Sequence, residues 1–420
     1  MAQWSSRFGF IVAAIGAAVG LGNIYRFPLV VHNDGGGAYI LAYILTTIVF
    51  GIPLMIVEVS GGRYSGADVV STFEHWNQGI FGWIIAVTAT LILSYYFVIM
   101  SWILAFIFIS IQGFSYTFGD LTSTHYPVIF FVISVLLSGV IVSFNVEDGI
   151  EKVSKVLIPF IFIVMLVLLA FVATLPKFGE GVSMFITPDF SVLKSPSIWM
   201  AVFGQAFFSL ALGHGELLTY GSYLDEDVSI PKASIIITFF NFSAAIIMGL
   251  IIFPILAQFG GPGMSQKVGR DFAFKTFPKL FTNMPYGNIL GIVFFVLLFV
   301  GSLSTSIALL NVGSSVSIGK GVSRRRASAL TTVIVLILGI PSALSYSAMD
   351  IQLFGVPFLD LMDFSTGNYL LPVAAMLTAV GFTWLPEKRP VQNDVIYYIV
   401  KYLLPAGIIL MIVVNISEVI

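Results

Sequence analysis

The sequence GAAVGLGNIYRFP (residues 16–28) lies inside the first apolar run of the chain, which covers 8–30. That run has the length of about 20 residues that a helix needs to cross the hydrocarbon core of a bilayer. Gly20 and Gly22 flank a single leucine in its middle, and Arg26 follows about one turn later. Glycine weakens a helix interior, and a charge is costly in hydrocarbon. The stretch therefore predicts a membrane helix that is interrupted close to its midpoint.

The composition of the whole chain points to the same class of protein. Of its 420 residues, 58% are hydrophobic and only 10% are charged, whereas soluble domains carry about 25% charged residues. Mean hydropathy is +1.01, and one soluble core saturates near ~250–300 residues. These values predict an all-α polytopic membrane protein, with 1–420 forming a single membrane domain in a lipid bilayer.

Eleven apolar runs follow one another along the chain, separated by polar, glycine or proline breaks. We number them span 1 to span 11. They cover 8–30, 38–61, 80–112, 127–144, 154–175, 198–222, 233–258, 287–318, 328–346, 356–384 and 396–417.

Basic residues are distributed unequally between the two sides of this predicted bundle. With a cytoplasmic N-terminus, the inner side receives twelve of the 19 lysines and arginines. Short loops rich in basic residues stay in the cytoplasm, so we expect a multi-pass protein of the cell membrane with its N-terminus inside. An odd number of spans then puts the C-terminus outside. A cleaved signal peptide is the alternative for the N-terminus, but the apolar run continues to Pro28 like an interrupted membrane helix.

Span 6 contains a second interruption, between Ser209 and Gly215, five spans after the first. Paired interruptions are typical of transporters made of two inverted repeats with a binding site at the midplane. The spacing predicts a first five-helix repeat over 8–175, a second, inverted one over 198–384, and an additional helix over 396–417. Close helix packing through a GxxxG pattern, here Gly16 and Gly20, is the alternative explanation for the glycines.

Ionisable side chains deep in apolar spans are functional candidates because they are costly there. This chain has Arg26, Glu58, His214, Glu216, Asp360 and Asp363. Asp360 and Asp363 share a helix face, so a pair with Arg26 would close an outer gate. A permanent structural ion pair is the alternative.

Several functional classes are disfavoured. The net charge of −2 gives no sign of a nucleic-acid partner, and the absence of cysteine removes disulfides and thiol catalysis. No HExxH or GxSxG pattern occurs, and Gly313 to Lys320 misses the P-loop spacing by one residue, which argues against an enzyme. Two interrupted helices around a closed site suit occlusion better than the continuous pore of a channel.

The motifs around both interruptions resemble the neurotransmitter:sodium symporter family, whose members have the LeuT-like fold. The resemblance extends over essentially the whole chain and includes Trp4-x-x-Arg7-x-Gly9, the stretch 16–28, Gly35-Gly-Gly-Ala38, Gly51-Ile-Pro-Leu54, Glu58, Gly62-Arg-Tyr64, Ser94-Tyr-Tyr96, Ile150-Glu-Lys152, Thr187-Pro-Asp-Phe190, Gly204-Gln-Ala-Phe-Phe-Ser209, Thr219-Tyr-Gly-Ser-Tyr223, Leu303-Ser-Thr-Ser306 and Asp360-x-x-Asp363. It implies sodium-coupled symport, by alternating access, of a zwitterionic and hydrophobic or aromatic amino acid.

The resemblance also implies where the substrate binds. Its carboxylate would bind the amides of Leu21 and Gly22 and the Tyr96 hydroxyl, and its ammonium group the carbonyls of Ala18, Phe208 and Ser209. The side-chain pocket would consist of Ile92, Phe208, Ala211, Gly213, His214, Thr305 and Leu309, with Phe208 as an aromatic lid. His214 is unusual at its position, so contact with a polar substrate group and a purely structural role both stay open.

Two sodium sites follow from the same resemblance. The first would consist of the Ala18 carbonyl, the side chains of Asn23, Ser209 and Asn241, and the substrate carboxylate itself. The second would combine the carbonyls of Gly16, Val19 and Gly301 with the hydroxyls of Ser304 and Thr305. All-oxygen shells suit a hard cation, and the shared carboxylate would couple ion and substrate binding.

Two departures from the family pattern affect the expected ion coupling and gating. Ala245 occupies a position where relatives carry a carboxylate or a hydroxyl, so chloride dependence stays open. Candidates for anion or proton coupling are Tyr43, Gln205, Glu58 and Glu216. Met1 and Gly319 replace both partners of the inner ion pair, so we expect packing of Trp4 on Tyr223, together with Arg7, to close the inner side. A proton-coupled or exchanging transporter of the same fold is the alternative function.

Overall fold

The computed structural model describes residues 3–260 and 272–419, so the expectation for Met1 lies outside the described residues. Within these ranges, eight helices are long and apolar enough to cross a bilayer. The two pieces of span 1, which are bent by 47° relative to each other, make a ninth if they count as one. Spans 6 and 10 consist of shorter helical pieces in series.

The first four spans begin and end within four residues of the predicted bounds, whereas span 5 begins at Val146, eight residues before the predicted start. Span 1 consists of Arg7–Ala18, the π-helical Gly22–Arg26 and Phe27–Asn33; span 2 of Gly37–Thr46, the π-helical Thr47–Gly51 and Ile52–Ser65; span 3 of Gly79–Ile111; span 4 of Tyr126–Ser143; and span 5 of the π-helical Val146–Glu151 and Lys152–Val172. Short helices between them are Val69–Glu74 and Phe118–Thr122.

The second half repeats this pattern of long helices and short connections. Span 6 consists of Pro196–Ser209 and Glu216–Gly221; span 7 of Ile230–Phe259; span 8 of Gly287–Gly319; span 9 of Arg324–Leu344; span 10 of Phe358–Ser365, the π-helical Thr366–Leu370 and Leu371–Trp384; and span 11 of Asp394–Tyr398, the π-helical Ile399–Leu403 and Leu404–Val419. The connections contain Phe178–Ile186, the 3₁₀ helix Phe190–Lys194, Phe272–Thr282, and an antiparallel hairpin of Gln352–Leu353 with Val356–Pro357.

The outer helices expose apolar faces, as expected for contact with lipid. The most apolar window of Val146–Val172 has a mean hydropathy of 2.9, yet only 28% of it is buried. The corresponding window of Gly79–Ile111 in span 3 is 78% buried. Side chains such as Ile163 and Val167 on span 5 are therefore exposed where a soluble protein would place polar groups.

Span 1 lies in the centre of the bundle. Every residue from Gly9 to Ala18 is buried, and this inner half packs against spans 5, 7 and 8. The helix ends at Ala18 because Val19 leaves helical geometry, with φ −86° and ψ 86°. A methyl group on Gly20 would lie 3.1 Å from the Tyr96 hydroxyl, so glycine permits close approach of span 3. The first predicted interruption is confirmed.

Span 6 is interrupted by a run of unusual backbone conformations. Ala211, Gly213 and Gly215 have φ values of +56°, +78° and +76°. This left-handed region is accessible to glycine at little cost, whereas alanine adopts it rarely. Gly213 also packs so closely that a methyl group there would lie 2.8 Å from the Ala375 side chain. The second predicted interruption is confirmed, and the regular hydrogen-bond pattern of the helix ends there, since Ala211 donates to Phe208 and Leu212 to Phe207.

Candidate functional site: a central cavity between the two helix breaks

The two interruptions meet at a cavity in the centre of the bundle. Its volume is about 10 Å³, which is about the room of one water molecule. Spans 1, 3, 6 and 8 line it with Ala17, Ala18, Gly20, Leu21, Gly22, Ile92, Tyr96, Phe208, Ala211, His214, Glu216, Thr305 and Leu309. These include all twelve residues predicted to bind substrate except Ser209 and Gly213.

Ser209 and Gly213 instead connect span 6 to span 2. The Ser209 hydroxyl is 2.7 Å from the Tyr43 hydroxyl, and the Gly213 N–H donates to Glu58 at 2.7 Å. Sequence analysis missed Ala17 and Gly20 as lining residues. It also assigned Glu216 to ion coupling, whereas the structure places this residue in the cavity wall.

The part of the cavity next to the span 1 break has polar groups available for a ligand. The Tyr96 hydroxyl is buried and has no hydrogen-bond partner among the described residues. Gln205 donates its side-chain N–H to the Gly22 carbonyl at 2.8 Å, which fixes the peptide unit that follows Gly22. The amides of Leu21 and Gly22 belong to the N-terminus of the outer half of span 1, where the helix dipole favours negative charge.

The side chains predicted for the first sodium site form one buried cluster. Asn23 donates its amide N–H to the Asn241 carbonyl at 2.8 Å and to the Asn241 side-chain oxygen at 2.7 Å. Asn241 in turn donates to the Tyr43 hydroxyl at 3.1 Å, and Tyr43 reaches Ser209. The Asn23 Oδ1 atom is buried without a hydrogen-bond partner in the described part of the chain. A buried amide oxygen that accepts no hydrogen bond is available to coordinate a hard cation.

The groups predicted for the second sodium site also converge. The Thr305 hydroxyl lies 3.4 Å from the Gly16 carbonyl oxygen and 3.4 Å from that of Gly301. A methyl group on Gly301 would lie 3.7 Å from the Val19 carbonyl oxygen, and one on Gly16 would collide with the Ser304 hydroxyl. Backbone oxygens of span 1 therefore face hydroxyls of span 8, and this donor set is composed of oxygen alone.

A larger outer cavity of about 850 Å³ adjoins the central cavity, and Leu21, Tyr96 and Phe208 line both. The Arg26 guanidinium carbon lies 5.1 Å from the centre of the Phe208 ring, and the His214 ring contacts its other side with centroids 5.9 Å apart. Arg26, Asp360 and Asp363 all line the outer cavity. Asp360 accepts a hydrogen bond from the Tyr346 hydroxyl at 3.0 Å.

The inner side is closed by the chain that precedes span 1. Trp4 is 5% exposed, and its ring contacts Tyr220 and Tyr223 with centroid distances of 5.1 Å and 6.1 Å. Its indole N–H donates to the Tyr220 carbonyl at 3.0 Å, and its backbone N–H to the Tyr223 carbonyl at 3.3 Å. The expected packing of Trp4 on Tyr223 is present, whereas Arg7 is exposed.

Two carboxylates on the inner side were not identified from the sequence. Glu151 accepts hydrogen bonds from the backbone N–H and the hydroxyl of Ser5, the former at 2.8 Å, and pairs with Lys155 at 2.6 Å. This links the N-terminal segment to span 5. The Asp68 carboxylate packs against Gly319, so that a side chain at position 319 would collide with it. No short-range sequence pattern indicates either contact, because both join segments far apart in the chain.

The residues predicted for anion or proton coupling are buried in two groups. Tyr43 belongs to the Asn23–Asn241 cluster, and Gln205 lies next to Gly22, with its Oε1 atom unpartnered among the described residues. Glu58 and Glu216 lie close enough to interact electrostatically, and each has one carboxylate oxygen without a hydrogen-bond partner there. Ala245 is fully buried.

Comparisons with known proteins identify the relatives of this chain. The model of the sodium:neurotransmitter symporter family matches residues 1–124 and 117–413. A sodium-dependent transporter of Methanocaldococcus jannaschii is 32% identical, over 91% of this chain and 82% of the relative. The sodium-dependent transporter YhdH of Bacillus subtilis is 31% identical, over 97% and 96%.

A solved structure matches over almost the whole length of both chains. The crystal structure of MhsT in complex with L-phenylalanine superposes with a TM-score of 0.88 at 32% sequence identity, covering 98% of this chain and 99% of MhsT. The agreement confirms the predicted all-α fold.

Proposed function

Because the chain belongs to the sodium:neurotransmitter symporter family, and its relatives in Methanocaldococcus jannaschii and Bacillus subtilis are sodium-dependent transporters, we propose that it carries a zwitterionic amino acid together with sodium by alternating access. One observation carries the proposal: both helix breaks meet at a single buried cavity that adjoins two oxygen-rich clusters. Free backbone donors and acceptors in the membrane interior are tolerated where they line a binding site.

The substrate's charged groups bind the broken ends of the helices. Its carboxylate binds the amides of Leu21 and Gly22 and the Tyr96 hydroxyl, since these lie at the positive end of the outer half of span 1. Its ammonium group binds carbonyls of Ala18, Phe208 and Ser209 at the negative ends of the inner half of span 1 and the first piece of span 6. Dipoles of opposite sign thus hold both ends of a zwitterion without charged side chains.

Sodium binds in the two oxygen clusters. Asn23 uses its unpartnered Oδ1 in the first site, together with Ser209, Asn241 and the substrate carboxylate. Because ion and substrate share that carboxylate, each raises the affinity of the other. In the second site the hydroxyls of Ser304 and Thr305 and carbonyls of span 1 bind the same ion, so sodium there links the inner half of span 1 to span 8.

Alternating access uses the closures on the two sides of the cavity. An amino acid is much larger than one water molecule, so loading requires the cavity lining to move, and Phe208 is the lining residue beneath the outer cavity and Arg26. On the inner side, release requires the Trp4 contacts with Tyr220 and Tyr223 to break. The basic residues of the short loops support a cytoplasmic location for this inner side and the N-terminus, with the C-terminus outside.

Replacing Phe208 by alanine is expected to impair retention of bound substrate. The change removes an aromatic side chain that lines both cavities and that Arg26 covers. We expect dissociation of a labelled amino acid from the purified protein to accelerate about tenfold or more, since lids of this kind limit release. The Phe207→Ala variant is the control, because Phe207 is the neighbouring phenylalanine, is fully buried and does not line the central cavity. Equal dissociation rates in wild type and Phe208→Ala would contradict a lid role.

Uptake into proteoliposomes tests the proposed function. An inward sodium gradient at equal pH on both sides is expected to drive accumulation of an amino acid, and potassium in place of sodium is expected to abolish it. Accumulation driven by a pH gradient without sodium would contradict the proposal. That result would favour the proton-coupled or exchanging alternative, for which the neighbouring carboxyl groups of Glu58 and Glu216 are the supporting observation.

A further inference from the structure

Glu216 and His214 form a polar end in an otherwise apolar part of the central cavity. They line it beside Ile92, Ala211 and Leu309. Glu216 is 1% exposed and His214 is 3% exposed, so both are removed from solvent. The groups proposed above for the substrate carboxylate, the ammonium group and sodium do not include either side chain.

Both side chains have polar atoms that lack hydrogen-bond partners among the described residues. These atoms are Nδ1 and Nε2 of His214 and Oε2 of Glu216. The His214 ring packs edge-on against Phe208 at an interplanar angle of 84°. Buried polar groups in folded proteins are nearly always satisfied, and an exception calls for a partner.

Glu58 restricts the chemistry of that partner. Its Oε1 accepts the Gly213 N–H at 2.7 Å, its Oε2 is unpartnered in the described part of the chain, and it interacts electrostatically with Glu216. No lysine or arginine lines the central cavity among the described residues. Two neighbouring carboxyl groups are best satisfied by a ligand that donates hydrogen bonds or carries positive charge.

We propose that Glu216 and His214 select an amino acid whose side chain ends in a hydrogen-bond donor, a hydroxyl or an N–H group, with Glu216 as the main acceptor. The inference rests on the proposed function, because the backbone groups of spans 1 and 6 must hold the rest of the molecule. The apolar wall of Ile92, Ala211 and Leu309 accommodates the carbon part of the side chain. The predicted hydrophobic or aromatic substrate is thereby refined to one with a polar end.

Isosteric pairs of amino acids test this selectivity in the full-length protein. We would measure thermal stabilisation in sodium by threonine against valine, tyrosine against phenylalanine, and lysine against norleucine. In the pair that binds most tightly, the amino acid with the hydroxyl or N–H group is expected to bind about 10- to 100-fold more strongly than its apolar analogue. The analogue leaves buried polar groups of the protein unpaired. Equal or tighter binding of the analogue without the donor in every pair would overturn the inference.

Variants of Glu216 identify the acceptor. Glu216→Ala is expected to reduce the preference within the selected pair to less than about threefold, since its acceptor is lost. Glu216→Gln keeps an acceptor oxygen without charge, so it is expected to retain a preference for a hydroxyl and to lose one for lysine. Leu217→Val is the control, because Leu217 is the buried neighbour that does not line the cavity. An unchanged preference in Glu216→Ala would overturn the inference.

The same measurement separates failure of this inference from failure of the proposed function. Sodium-dependent stabilisation by valine, phenylalanine or norleucine without any preference for the donor partner leaves the proposed function intact and overturns only the selectivity. If none of the six amino acids stabilises the protein in a sodium-dependent way, the proposed function fails, and the selectivity that rests on it fails as well.

Discussion

The double substitution Ser304→Ala and Thr305→Val is expected to abolish most sodium activation while preserving the fold. It removes both hydroxyls that face the carbonyls of Gly16 and Gly301 and leaves side-chain volume nearly unchanged at position 305. Loss of an outer-shell partner of a metal costs about 10- to 100-fold in affinity, and two direct ligands should cost at least as much. We therefore expect the half-maximal sodium concentration for uptake to rise about tenfold or more.

Ser306→Ala is the matched control for this double variant. Ser306 belongs to the same Leu303–Ser306 motif and is fully buried, but its hydroxyl bonds to Ser138 at 2.9 Å and to the Leu303 carbonyl, away from span 1. Its sodium dependence should match that of the wild type. An unchanged sodium dependence in the double variant, or an equal loss in Ser306→Ala, would remove the second sodium site from span 8.

Replacing Trp4 by alanine is expected to open the inner side. The change removes a buried ring, its aromatic contacts with Phe10, Tyr220 and Tyr223, and the hydrogen bond to the Tyr220 carbonyl. A buried Trp→Ala change costs about 3–5 kcal/mol in a core. Because every 1.4 kcal/mol is about tenfold in an equilibrium, even part of this cost should shift the population toward the inward-open form by more than about tenfold.

Hydrogen exchange of the Arg7–Ala18 amides measures this shift. Exchange is expected to accelerate in Trp4→Ala, and coupled uptake to fall, since an inner side that no longer closes allows leakage. Trp76→Ala is the control, because Trp76 packs on Phe73 and Phe382, away from the N-terminal segment. Unchanged exchange of Arg7–Ala18 in Trp4→Ala would show that other contacts close the inner side, with Glu151 the first to examine.

The architecture follows from local sequence properties. Apolar length predicts the spans, and Gly20, Gly22, Gly213 and Gly215 predict both interruptions, because glycine tolerates the close approach and the positive φ values found there. The π-helical segments, such as Val146–Glu151 at the start of span 5, were not predicted. Their extra residue per turn depends on packing with neighbouring helices and not on residue type alone.

The candidate site could be predicted only in part. Resemblance to a family identified ten of the thirteen residues that line the cavity, because the motifs carry both identity and order. It could not identify Glu216 as a lining residue or Glu151 as the partner of Ser5, because both depend on contacts between distant segments. His214, which is unusual at its position, and Glu216 are among the residues whose side chains have buried atoms without a hydrogen-bond partner in the described part of the chain.

The most direct test of the account is a grid of thermal stability measurements over sodium and amino-acid concentration. A ligand that binds only the folded state raises its stability, and the increase grows with the logarithm of the ratio of ligand concentration to dissociation constant. If the substrate carboxylate is a sodium ligand beside Asn23, sodium raises substrate affinity by the same factor by which substrate raises sodium affinity. In Asn23→Ala that common factor should fall toward one. Independent stabilisation by the two ligands in the wild type, or full coupling in Asn23→Ala, would contradict a first sodium site in which Asn23 and the substrate carboxylate bind the same ion.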